Sequence, residues 1–360
     1  MSRTSPSPLS EEATTVSGTA ALPDQDAPAP ASSSGGKTQR ARRRPLTPGV
    51  RLALVSAVVA VATACFLLLF IRGGFEFVLE RRATMLGAMV VAAFTQGVAT
   101  ILFHTVTNNR ILTPSIMGFD SLYTLMQTLM VFVFGGEVLA RTEGLPKVIA
   151  QTLLMVAFAT LLYRWLFSGR FGNLYVLLLV GVVFGMAFSS VSTFLQRLLS
   201  PTDYDLLSTR LFGRMSNVDA DYLPFAAVVC VAVGVVVWRR RFRLDALTLG
   251  RDTATNLGID HKRELTIVLM LVALLISMST ALVGPMTFFG FVIATLAYRV
   301  TGSHQHQYVL PMAFLLGLAT LVVGQFVMQH VFYAAGLLTV IIEFVGGIVF
   351  LFLLLRRGAL

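Results

Sequence analysis

From Leu52 to Leu355 the chain is a succession of ten apolar runs, each near the length that crosses a bilayer. They cover 52–71, 83–106, 116–135, 148–167, 173–194, 222–238, 264–283, 287–300, 308–328 and 336–355. A spanning helix needs about 20 apolar residues to cross a hydrocarbon core roughly 30 Å thick. Lipid offers the backbone no hydrogen-bond partners, so a spanning segment must be a helix or part of a closed barrel. Runs of this length read as helices, and the expected fold is an all-α polytopic membrane protein with about ten transmembrane helices. Composition agrees: 56% of the 360 residues are hydrophobic and 13% are charged, where soluble domains carry about 25% charged residues. An ordinary soluble enzyme, a disordered regulator and a disulfide scaffold are thereby excluded.

Residues 1–49 are different. They are rich in Ser, Thr, Pro and Ala, include Ser32-Ser33-Ser34-Gly35-Gly36, and show no apolar period. Such a segment buries too little surface to offset its ordering entropy, and it reads as a disordered cytoplasmic tail. Gly36-Lys37-Thr38 ends like a phosphate-binding loop, but Ala31 stands where that motif has its first glycine. Residues 50–360 form the expected transmembrane domain.

The net charge of +10 gives the orientation. With the N-terminus in the cytoplasm, 20 of the 28 Lys and Arg residues fall on the cytoplasmic side, as the positive-inside rule requires. Both termini are then cytoplasmic in a cell membrane. Basic residues clustered between apolar runs do not make a nucleic-acid surface. Cys65 and Cys230 lie inside apolar runs and read as small hydrophobes.

No catalytic motif stands out, and no cofactor or metal is implied. His304-Gln305-His306 reads as a polar cytoplasmic turn. Polar residues inside the spans carry more information, because they are costly in lipid. Gln96, Gln127, Gln151, Gln325 and Glu343 are such residues, with Asp120 near a span end. The glutamines also suit a plain role as hydrogen-bond glue between helices. A lone carboxylate such as Glu343 must be paired, protonated or wet. Gly284-Pro285 predicts a broken or re-entrant start for the short eighth span, and Gly181-x-x-x-Gly185 predicts a close helix contact. The largest polar segment, 239–263, reads as a loop of two short amphipathic pieces around Gly250 and Gly258, and 203–214 as a small additional helix.

That segment carries a resemblance. Leu249-Gly250-Arg251-Asp252-Thr253-Ala254-Thr255-Asn256-Leu257-Gly258-Ile259 resembles the coupling segment of the FecCD family of importer permeases. Three blocks agree with it in order and spacing. Asn109-Arg110-Ile111-Leu112-Thr113-Pro114-Ser115-Ile116-Met117-Gly118 stands where the family has N-P-L-A-x-P-x-x-L-G. Gly284-Pro285-Met286-Thr287-Phe288-Phe289-Gly290 resembles G-P-I-x-F-V-G. Phe344-Val345-Gly346-Gly347-Ile348-Val349-Phe350 resembles the last-span signature. Ala294-Thr295-Leu296-Ala297-Tyr298-Arg299 lacks the Pro-His of the common family block, and the wording looks closest to permeases for catechol-type siderophores such as petrobactin.

The resemblance implies a vitamin B12-importer-like type II permease fold and no enzymatic activity of its own. It implies import of an iron(III)–siderophore complex by an ATP-binding cassette transporter. The implied partners are a second permease subunit, two cytoplasmic ATPase subunits and an extracytoplasmic binding protein. Leu249, Gly250, Arg251, Thr253, Ala254, Leu257, Gly258 and Ile259 would contact the ATPase, and Arg81 and Arg82 would dock the binding protein. Gly284, Pro285 and Gly290 would form a helix break used in gating. The alternatives are an ion-coupled secondary transporter with Glu343 as proton carrier, and the same permease fold importing haem or a cobalamin.

Overall fold

The described residues of the computed structural model are 47–70, 74–137, 145–167, 174–211, 220–333 and 338–357. Residues 1–46, with the Gly36-Lys37-Thr38 motif, and residues 212–219 lie outside them. All regular elements among the described residues are helices: α1 (Pro48–Leu68), α2 (Phe75–Thr107), α3 (Phe119–Phe134), α4 (Leu145–Phe167), α5 (Leu174–Gln196), α6 (Pro201–Leu211), α7 (Leu223–Leu247), α8 (Arg251–Asn256), α9 (His261–Val283), α10 (Phe289–Thr301), α11 (His306–His330) and α12 (Leu338–Arg357). Short 3-10 turns at Pro114–Met117 and Ala220–Tyr222 lead into α3 and α7. Among the described residues six helices are long and apolar enough to cross a membrane, and four shorter apolar helices complete a set that matches the ten expected runs. The small helix expected near 203–214 is α6. Pro48 and Gly49, read from the sequence as the end of the tail, are instead the first residues of α1.

α2 is the axis of the bundle. It packs against α9, α11, α7 and α10, and 78% of its apolar stretch is buried, against 11% for α1. Its composition explains this position. Ala88, Ala92, Ala93, Gly97 and Ala99 let neighbouring backbones approach closely, which is how helices associate where lipid removes the hydrophobic drive between them. A Cβ on Gly97 would lie 3.3 Å from the backbone of Ala313, and one on Gly317 of α11 would lie 3.2 Å from Ala93.

Hydrogen bonds sort the helix ends onto two sides of the bundle. On one side Arg51 donates to the Val300 carbonyl at 3.1 Å, holding the start of α1 on the end of α10. Asp245, near the end of α7, accepts from His306 Nδ1 at 2.6 Å and from its backbone N–H at 2.8 Å, while His306 Nε2 meets Thr105 Oγ1 of α2 at 2.7 Å. His306 is thus buried at the start of α11, not part of a solvated turn. Burial works to raise the Asp245 pKa, but the bonds from His306, with Arg241 nearby, outweigh it and hold the carboxyl below its ordinary value.

On the other side Arg82 is buried in the first third of α2 and donates to the carbonyls of Phe66, Leu67, Leu69 and Phe70. These are carbonyls that the end of α1 leaves without helical partners. Phe70 lies against His330 of α11, the two rings tilted at 42°. α6 is tied down there by Asp203, which accepts from Ser200 Oγ at 2.7 Å and from the Gly136 N–H at 2.9 Å. Those two bonds, Ser200 first, lower the Asp203 pKa.

Arg82 and Arg81 therefore differ in kind: Arg81 is exposed, while Arg82 is inward and committed to backbone carbonyls. Arg82→Gln is expected to lower the stability of the purified protein by about 2–3 kcal/mol, the scale of hydrogen bonds to charged groups. Arg81→Gln should leave it unchanged. Thermal unfolding of both variants in detergent checks this, and equal melting temperatures would overturn it.

Candidate functional site

Two regions depart from continuous helix, and both contain residues singled out in the sequence. The first is a pair of helix breaks inside the bundle. α9 ends at Val283, where Gly284 takes φ +91° as its C-cap, a backbone conformation that strains residues bearing a Cβ. Pro285 follows, and α10 begins at Phe289. α10 has 13 residues, so at 1.5 Å per residue it rises about 20 Å and cannot cross the core unaided. Its first turn lies against the middle of the bundle: a Cβ on Gly290 would sit 2.2 Å from Thr100 Oγ1 and 3.2 Å from the Gln96 carbonyl of α2. Only glycine fits there.

A helix that starts inside a membrane presents backbone N–H groups with no acceptor. Glu343 of α12 supplies one. Its carboxylate accepts from the Phe288 N–H at 3.1 and 3.2 Å through its two oxygens. Its oxygens also lie at the positive end of the α10 dipole. Gly346, one turn along, permits this approach, since its Cβ would lie 2.6 Å from that of Phe288.

The second break faces the first. The extended chain after α2 runs into the 3-10 turn Pro114–Met117, and Gly118 at φ +85° opens α3. A Cβ on Gly118 would sit 3.0 Å from Gly185 of α5 and 3.1 Å from the Gly181 carbonyl. The Gly181-x-x-x-Gly185 pair thus makes the expected close contact, with the 3-10 turn at Met117 and the start of α3 at Gly118 and Ser121. Asp120, second residue of α3, accepts from Thr287 Oγ1 at 2.9 Å and joins the two breaks.

The other polar residues divide. Gln96 donates to Ser279 Oγ of α9 at 3.1 Å, which is the glue role. Gln127 is buried on α3 with its carbonyl oxygen unpartnered among the described residues. Gln151 and Gln325 are buried.

The second region follows α7. That helix does not stop at Trp238 but continues to Leu247, because arginine is a good helix former and leaving the membrane does not end a helix. The irregular segment is therefore shorter than the expected 239–263 loop. Gly250 at φ +95° turns the chain into α8, and Gly258 at φ +80° turns it out again. Neither glycine has another atom within 4 Å of where a Cβ would be. They are there for backbone conformation, not for space. Ala254 is fully buried beneath α8 and Ile259 packs on the main core. Arg251, Thr253, Leu249 and Leu257 face outward, the two leucines each 61% exposed.

The base of this segment is clamped by Glu264, in the first turn of α9, which pairs with Arg240 at 2.6 Å and Arg243 at 2.8 Å. Asp260 caps α9 by accepting from the Arg263 N–H. A recess of about 350 Å³ opens beside the clamp, between Arg240, Arg243, Arg263 and Gly258. Among the described residues no group of three His, Cys, Asp or Glu side chains is placed to hold a metal ion.

The model of the FecCD transport family matches residues 50–356. The chain belongs to the FecCD transport family. Its members are transport permeases, not enzymes, and this chain is one of them. It is 42% identical over 283 residues to the petrobactin import system permease protein FatC of Bacillus anthracis, covering 79% of this chain and 80% of that one. It is 39% identical over 309 residues to the petrobactin import system permease protein YclO of Bacillus subtilis, covering 86% and 98%. Among solved structures, a metal-chelate type ABC transporter in an inward-facing conformation shares the fold, with a TM-score of 0.74 at 17% identity, covering 86% of this chain and 100% of that one.

The geometry separates two roles for Glu343. As an acceptor at the start of α10 it needs an oxygen, not a charge cycle. Glu343→Gln should retain most of the folded stability, while Glu343→Leu should lose about 1–3 kcal/mol by leaving the Phe288 N–H unsatisfied. Unfolding curves of the two variants measure this, and identical losses would remove the capping role.

Proposed function

We infer that this chain is the permease subunit of an ATP-binding cassette importer that carries an iron(III)–siderophore complex across the cytoplasmic membrane. The siderophore is of the catechol type that includes petrobactin, for which FatC and YclO are import permeases. Its partners are a second permease subunit, two cytoplasmic ATPase subunits and an extracytoplasmic siderophore-binding protein. The termini are cytoplasmic and the residues before α1 form the cytoplasmic tail, a reading supported by the excess of Lys and Arg on the α8 side.

The observation that carries the proposal is the display of Leu249 and Leu257. Two apolar side chains stand exposed at either end of a short helix whose underside is buried and whose base is clamped by two ion pairs. Exposed apolar groups on a rigid support mark a docking surface. The ATPase supplies the complementary groove, and Gly250 and Gly258 make the turns that present Arg251, Thr253 and the leucines to it.

Closure of the ATPases moves this segment, and the paired breaks at Gly118 and Gly284 are where the bundle yields. Gly284, Pro285 and Gly290 let α10 tilt at its inner end while Glu343 and Asp120 keep hold of it. The substrate path runs between the two permeases. No iron ligand is required of this chain, since the siderophore fills the metal's coordination sphere.

Gly258→Asp is expected to reduce ATP-driven siderophore uptake at least tenfold while costing only about 1–2 kcal/mol of stability from the unfavourable φ. Leu257→Asp should do the same without the backbone strain. Uptake in vesicles holding the complete transporter reads both, and retained transport would overturn the coupling assignment.

On the opposite face Arg81 is the docking residue for an acidic patch of the binding protein, with Arg82 holding the helix end beneath it. Arg81→Glu should weaken binding-protein affinity about five- to tenfold at low salt, the range of one interfacial charge reversal. Unchanged affinity by surface plasmon resonance would defeat this role.

A further inference from the structure

An open apolar groove of about 820 Å³ runs along the bundle between α2 and α7, with Val91 and Phe94 on one side and Ala227 and Cys230 on the other. Two glycines line it. A Cβ on Gly87 would lie 3.0 Å from Leu223, and one on Gly234 3.2 Å from Phe94. The two helices come together at these points, and the missing side chains leave the groove open above them. From Leu223 to Arg239 the groove follows about 24 Å of α7. That length accepts a whole acyl chain, since the hydrocarbon core that holds two end to end is roughly 30 Å thick.

One end of the groove closes on Trp238 and Arg239. The four arginines there are not equivalent. Arg240 and Arg243 are bonded to Glu264. Arg241 donates to the Trp238 carbonyl and lies over the rings of Trp238 and Phe242. Arg239 is exposed, and no group among the described residues bonds to it. Tryptophan belongs at the level of the headgroups, so the guanidinium beside it is placed where a lipid phosphate would lie.

We propose that this groove binds an anionic glycerophospholipid, with its phosphate on Arg239 and one acyl chain laid along Gly87 and Gly234. Charge selects the class of lipid. With Arg240 and Arg243 paired to Glu264 and Arg241 held on Trp238 and Phe242, Arg239 is the guanidinium left to attract a net negative headgroup, and one basic group near the surface favours it by a factor of about five. The site is independent of the transported substrate and of which side of the membrane faces the cytoplasm.

Trp238 reports on the groove directly. In a Trp165→Phe background it is the sole tryptophan of the chain. The purified full chain is reconstituted in phosphatidylcholine vesicles containing a fixed fraction of lipid with brominated acyl chains. Brominated phosphatidylglycerol should quench Trp238 with about five-fold higher apparent affinity than brominated phosphatidylcholine. Arg239→Gln should abolish the difference and Arg239→Lys should keep most of it. Ala227→Phe, which adds bulk to an exposed groove position, should weaken quenching by both lipids. Equal quenching of the parent by the two lipids, or a preference that survives Arg239→Gln, overturns the proposal.

Discussion

A helix that begins inside a membrane carries backbone N–H groups with neither water nor a preceding turn to accept from them. The inner end of α10 is in that position, and the arrangement around it follows from the need to satisfy it. Glu343 reaches across from α12 to the Phe288 N–H. Gly346 allows α12 close enough, and Gly290 allows α10 to settle on Thr100 and Gln96 of α2. Thr287, left outside the helix by the break, bonds Asp120 and so draws in the start of α3. Acidic side chains in this bundle serve the beginnings of helices.

Basic side chains serve the ends. Arg82 gathers four carbonyls where α1 stops, and Arg51 takes the Val300 carbonyl where α10 stops. Both follow from the same helix polarity, which places partial negative charge at a C-terminus. The consequence for function is specificity of location. An arginine committed to carbonyls is not available to a partner protein, and this sets Arg82 apart from the exposed Arg81 beside it.

The ten spans were legible in the sequence because apolar length alone determines them, and the break at Gly284-Pro285 was legible because few residues tolerate positive φ. The extension of α7 past Trp238 was not. Hydropathy marks where lipid ends, and a run of arginines carries a helix into solvent unchanged. Arg82 and His306 were misleading for another reason. Arg82 bonds carbonyls of the preceding turn, 12 to 16 residues back, while His306 is defined by partners far off in the chain, Asp245 lying 61 residues away and Thr105 lying 201. A single sequence does not announce such pairings. Glu343 fell between these cases: its need for a partner was plain from burial in an apolar helix, but a backbone N–H on another helix could not be named.

α9 has one further property, in where its two ends lie. Its first turn holds Glu264, the clamp beneath α8, and its last residue precedes Gly284. Between them is unbroken helix of 23 residues, a rod of about 35 Å wedged lengthwise against α2. Helices of this kind resist compression far better than they resist tilting. A displacement of the arginine clamp along that axis would therefore have little chance of being absorbed along the way, and would reach the glycine joint at the opposite end.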